Sequence, residues 1–204
     1  MRTLLFLVVL GLTALRAQPV GAQDFDTLLA RLQEGQAIAR QGRWQEAEAW
    51  FRDTLPMAVA VSGKGSPDEI VVNILIAHAI RDQGRTAEAE ALYREAIALL
   101  DQSGYGSSLT KSVALNGLGL LLLDEWRLEE ALAAAGQAAE MRASIEGVDS
   151  EASLVFATDQ ALVLKEMGRN AEAQDLYRRI LAMREAASPA DSLELATLLN
   201  NMGA

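Results

Sequence analysis

The sequence predicts an all-α chain, an α-α superhelix of about four repeats with a truncated fifth helix A. Three observations predict it. The first is a period of 42 residues: Gly42-Arg43, Gly84-Arg85 and Gly168-Arg169 recur at that spacing, and Trp126-Arg127 stands where the third Gly-Arg is due. The second is that further columns keep the same register. Glu46-Ala47, Glu88-Ala89, Glu130-Ala131 and Glu172-Ala173 follow each arginine, and Gly35, Ala77, Gly119 and Ala161 precede each loop residue by seven positions. A period in this range marks stacked units, each burying its apolar face on the next. The third is composition: 50% hydrophobic with only 5% aromatic residues, which is helix-rich with little strand character.

Residues 1–22 are a different material. Met1-Arg2 gives a positive start, Leu4 to Leu15 is nearly all apolar, and Val20-Gly21-Ala22 fits a small-x-Ala cleavage site. This is the layout of a signal peptide, and it predicts a mature chain beginning at Gln23. The apolar run is too short to span a bilayer comfortably, so no stable membrane insertion is expected after cleavage. Cleavage removes two arginines and no acid, taking the net charge from −10 to −12. An acidic chain without a basic stripe excludes nucleic acid as a partner. The absence of cysteine excludes disulfides, thiolate nucleophiles and cysteine-ligated metals.

The repeats are expected at about 25–62, 67–104, 109–146 and 151–188, with a partial unit at 192–204. Each reads as two helices. In the second, Ile70, Val71, Ile74, Ala77 and Ile80 keep helical spacing up to Gln83. Gly84 then ends helix A as a left-handed cap. Thr86 is expected to cap helix B, whose apolar stripe runs Ala89, Leu92, Tyr93, Ala96, Ile97 and Leu100. The fourth unit repeats this with Asn170 as cap and Ala173, Leu176, Tyr177, Ile180 and Leu181 as stripe. Turn-rich segments such as Ser62 to Asp68 and Glu146 to Ser150 separate the units. Residues 25–200 are expected to be about 75% helical, without strands, in nine helices.

The helix pairs resemble tetratricopeptide (TPR) repeats. The 42-residue period and the run Gly-Arg-x-x-Glu-Ala ending in Tyr are similar to the kinesin light chain subtype. The resemblance implies a TPR solenoid in which small residues at 77, 89 and 96, and at 161 and 173, let backbones approach while Tyr93 and Tyr177 fill the gap. Gly35, Ala47 and Phe51 match the same columns. It also implies a concave groove lined by helix A. The third unit departs from the pattern, with Trp126 for glycine, Ala135 for the aromatic, and Gly117 and Gly119 inside helix A. Each such glycine costs about 0.5–1 kcal/mol, which predicts the softest joint there. The sequence stops in mid-helix at Asn200-Asn201-Met202-Gly203-Ala204, so a longer parent protein is expected.

Candidate chemistry is sparse. Ser108-Leu109-Thr110-Lys111 matches a Ser-x-x-Lys nucleophile motif but lacks its companion segments, and reads as a helix entry. His78 is the only histidine, so a triad or zinc site has no second partner. Trp50 reads as packing, and Trp44 and Trp126 sit at turns between helices. No catalytic residue, cofactor or metal is expected.

The groove is the remaining surface. One register column is Leu32, Ile74, Asn116, Thr158 and Asn200; its amides are expected to hydrogen-bond an extended peptide backbone. A second holds Arg40, Asp82, Asp124 and Glu166, mostly acidic from Asp82 onward, beside one with Arg81 and Lys165; His78 is expected to face the groove. The acidity of the second column points to a basic segment of a protein or peptide as ligand. The expected protein is therefore a non-enzymatic scaffold, periplasmic or secreted from a bacterium. The alternative is a regulatory module of a larger enzyme such as a caspase-like (CHAT-type) peptidase. A histidine and cysteine set encoded beyond Ala204 would mark that alternative.

Overall fold

The computed structural model describes residues 22–106 and 108–187. They form eight helices and, among the described residues, no strand: α1 (Ala22–Arg40), α2 (Trp44–Ser62), α3 (Pro67–Asp82), α4 (Thr86–Gln102), α5 (Leu109–Asp124), α6 (Leu128–Glu146), α7 (Glu151–Glu166) and α8 (Asn170–Ala187). The expected ninth helix and Asn200 lie outside the described residues, as does the segment before Ala22. The chain divides into two compact units at the Gly117–Leu118 bond, within α5. In the first, α2 packs on α1 and α3, and α3 on α4; in the second, α7 packs on α6 and α8. No helix among the described residues is long and apolar enough to cross a membrane.

The recurring Gly-Arg is a helix stop followed by a helix start. Gly84 adopts φ +80° and its N–H donates to the Arg81 carbonyl at 2.8 Å, while the Arg85 N–H donates to Ile80 at 3.2 Å. These two bonds satisfy carbonyls that the end of α3 would leave bare. Arg85 then occupies the entry of α4, and its carbonyl accepts from Ala89 at 3.1 Å. Thr86 is consequently the first residue of the helix and not its cap, and Asn170 likewise opens α8. The two-residue stop leaves the entry site to arginine, which has no acceptor with which to cap. The guanidinium instead pairs with the glutamate three residues on. Nε lies 2.8, 3.0, 2.8 and 2.7 Å from Glu46, Glu88, Glu130 and Glu172 for Arg43, Arg85, Arg127 and Arg169. Each glutamate also sits in the first turn, at the positive helix end.

Helices A start differently. Ser66 Oγ accepts from the Glu69 N–H at 3.3 Å, Ser108 from Lys111 at 3.1 Å and Ser150 from Ser153 at 3.2 Å. Ser108 therefore caps α5, and the Lys111 ammonium is drawn to Asp101 at 2.5 Å. The first and second repeats are also joined laterally: Glu48 accepts from Arg52 at 2.9 Å, Gln83 at 2.7 Å and Arg85 at 2.6 Å. Burial alone would raise the Glu48 carboxyl, but bonds from Gln83, Arg52 and Arg85 outweigh it and hold it below its ordinary value.

The small and the aromatic columns are both buried. Ala77 and Tyr93 are both fully buried, as are Ala161 and Tyr177. In the third repeat the pair is Gly119 and Ala135. A Cβ on Gly119 would stand 3.1 Å from the Ala135 backbone nitrogen and 3.3 Å from its Cβ. Here α5 and α6 approach backbone to backbone, so the space an aromatic fills elsewhere is closed. A Cβ on Gly117 would lie 2.7 Å from Cε1 of Tyr93. The two glycines are thus required by close approach, whatever their cost in helix propensity.

Candidate functional site

Among the described residues, the amide column lies in the core up to Asn116. Leu32, Ile74 and Asn116 are all 0% exposed, and Thr158 is half-buried with its hydroxyl donating to the Leu154 carbonyl at 2.8 Å. The reason is helical geometry: each residue lies three positions before the small residue of its helix and so shares its packed face. Asn116 is therefore corrected from a ligand contact to a core residue. His78 is corrected in the same way. It is 3% exposed, and its Nδ1 lies 2.8 Å from the Tyr93 hydroxyl, with the rings edge-on at 5.4 Å. Burial and the charge of Arg81 push its pKa down to about 3. Arg81 and Asp82 turn toward each other, 2.9 Å apart, with side chains 9% and 14% exposed.

The acidic column behaves as a surface farther along. Asp124 and Glu166 are exposed and line one concavity of about 270 Å³ together with Leu123, Trp126 and Leu162. Leu123 and Asp124 end α5, and Leu162 and Glu166 sit on α7, so two successive helices A supply the walls. Lys165 precedes Glu166 and is half-buried. Trp126 stands at the mouth. It is 70% exposed, and it holds φ +59°, the left-handed conformation that Gly42, Gly84 and Gly168 hold in the other units. Its N–H and that of Arg127 make the same helix-stop bonds, at 3.0 Å to Leu123 and 2.9 Å to Leu122. A tryptophan at that dihedral carries strain of about 1–2 kcal/mol. Retention of an exposed aromatic at a strained turn is a pointer to function.

Trp126, Leu123 and Leu162 were not among the residues the sequence singled out for binding. The signal was present: the loop column asks for glycine, and tryptophan is a costly replacement. The other two tryptophans are half-buried. Trp50 donates Nε1–H to the Arg31 carbonyl at 2.8 Å and lies under the Arg31 guanidinium. The buried polar groups elsewhere are structural. Arg142 is fully buried, donates to Glu146 at 2.8 and 3.0 Å, and lies 5.4 Å over Phe156.

The architecture is a helical-hairpin repeat array. The tetratricopeptide repeat family matches residues 26–102 and again 161–194, and the chain belongs to it. The stretch between the matches contains the third repeat. Among solved structures, BtubC (BKLC) from P. vanneervenii is similar, with a TM-score of 0.73 at 20% identity over 83% of this chain and 67% of that one. Kinesin light chain nearly identical TPR-like repeats from Podosopora anserina give 0.70 at 14% identity, covering 86% and 83%. The fold is thus that of kinesin light chain-like TPR repeats, an architecture typical of protein-interaction scaffolds. No curated protein matches the sequence.

Proposed function

We propose that this protein is an exported, non-enzymatic scaffold that binds a basic segment of another protein along the exposed ends of its helices A. The observation that supports it is the concavity walled by α5 and α7, where two carboxylates and an indole from successive repeats share one surface. Extended segments bind repeat surfaces by contacts that recur once per unit. The acidic net charge of −10 favours a basic ligand and faster encounter at low salt. Export rests on the apolar segment and small-x-Ala site before Gln23.

Two experiments test it. A photo-cross-linking residue at Leu162, on helix A, should capture one defined protein in the native cell envelope, and the same residue at Arg94, exposed on helix B, should not. Capture from position 94 alone would overturn the helix-A assignment. Intact mass of the recovered protein should begin at Gln23; a retained Met1 would contradict export by cleavage.

A further inference from the structure

The concavity beside Trp126 has a size and a lining that together name a ligand class. At about 270 Å³ it falls below the ~300–1,000 Å³ of sites that enclose drug-sized molecules, so it suits one side chain. Its lining is of two kinds: an indole with two leucines, and two carboxylates. A matching group is flat and weakly hydrated on its faces, and positive at its rim. A guanidinium has these properties, whereas an ammonium has the charge without the plane.

The first repeat already contains this recognition in internal form. The Arg31 guanidinium lies 4.6 Å over the Trp50 ring, and its Nη2 is 2.6 Å from Asp53. An indole and a carboxylate there hold an arginine of the chain itself. At Trp126 the same elements face solvent. The adjacent Arg127 pairs with Glu130 at 2.8 Å and Glu125 at 3.3 Å.

We infer that the Trp126 concavity binds an arginine side chain of a partner protein, stacked on the indole and held by Asp124 and Glu166. The inference rests on the scaffold reading above and adds the ligand chemistry and its address. Stacking places the guanidinium plane on the ring, and the planar fork presents N–H donors to carboxylates on either side.

The test uses the indole N–H resonances of Trp44, Trp50 and Trp126 in the isotopically labelled protein, with Trp126→Gly assigning the third. The probe is a capped pentapeptide, Gly-Ser-Arg-Ser-Gly, compared with peptides carrying lysine or the neutral isostere citrulline. The arginine peptide should shift the Trp126 resonance saturably and more weakly as salt rises. Lysine should bind several-fold more weakly and citrulline about tenfold more weakly. Asp124→Asn with Glu166→Gln should weaken the arginine peptide about tenfold while the Trp44 and Trp50 resonances stay in place, which controls for folding. Citrulline binding as tightly as arginine, or an unchanged affinity in the double variant, would overturn the inference. So would concentration-dependent self-association abolished by Trp126→Gly, because the occupant would then be another copy of this chain. If the protein cross-linked from position 162 is captured equally by the double variant, the arginine address fails and the scaffold reading stands. If the peptide binds but no protein cross-links from helix A, the reverse holds.

Discussion

The second and third repeats solve one packing problem in two ways. In the second, small Ala77 and large Tyr93 are both buried; the Tyr93 hydroxyl meets His78 and its ring lies against Gly117. In the third, Gly119 faces Ala135 and the helices close up instead. The second ends its helix A with glycine; the third does so with an exposed tryptophan at the same positive φ. Small-large and small-small pairs both fill the seam, so absence of the family aromatic is no sign of a cavity. The strained turn has no such packing rationale, which is why it points to a ligand.

The largest test of this contrast is Tyr93→Ala. It removes a fully buried ring and strands His78, and should cost about 3–5 kcal/mol by chemical denaturation. A loss under about 1 kcal/mol would mean that the seam does not depend on the ring. Ala135→Tyr should move stability in the same direction, by about 1–3 kcal/mol, because the Gly119–Ala135 approach leaves no room for the ring. A stabilised variant would show that the two repeats share one design after all.

A pH series sharpens the second repeat's side of the comparison. His78 stays neutral in the folded protein down to about pH 3, whereas in the unfolded chain it takes up a proton near its ordinary 6.5. The folded value is the lower one, so its contribution is complete above pH 6.5 and is lost as pH falls toward 3. The slope is about 1.4 kcal/mol per pH unit, or about 2 kcal/mol by pH 5. The check is urea unfolding of the parent and His78→Gln at pH 7.5 and 5. The variant should lose less stability between the two; equal losses would place the titration elsewhere.

The fold was legible because its determinants are local and repeated. Glycine marks three of the four helix A stops by its φ, and the Glu-Ala column marks each helix B start. A further column, Ser66, Ser108 and Ser150, caps each described helix A after the first and recurs at the same spacing, so the sequence held it too. Thr86 and Asn170 misled because a good capping residue beside a helix need not occupy its entry. The candidate surface was partly legible: Asp124 and Glu166 share a register column and a charge in the sequence, and both line the concavity beside Trp126. Asn116 and His78 were misassigned because polar type was allowed to outweigh helical phase; both lie on the face that carries the small residues. Trp126 was noticed as a departure at a turn, but sequence alone does not say that its indole stands 70% exposed.

The account stands most directly on one substitution. If Trp126 is held in a strained turn for the sake of its exposed ring, then Trp126→Gly, which supplies the residue the other repeats use, should raise stability by about 1 kcal/mol. For a chain of this size that is a rise of about 2–4 °C in Tm. The same variant should lose binding of the arginine peptide. A Tm that falls on substitution would contradict the account, because the indole would then be a packing element and the turn unstrained.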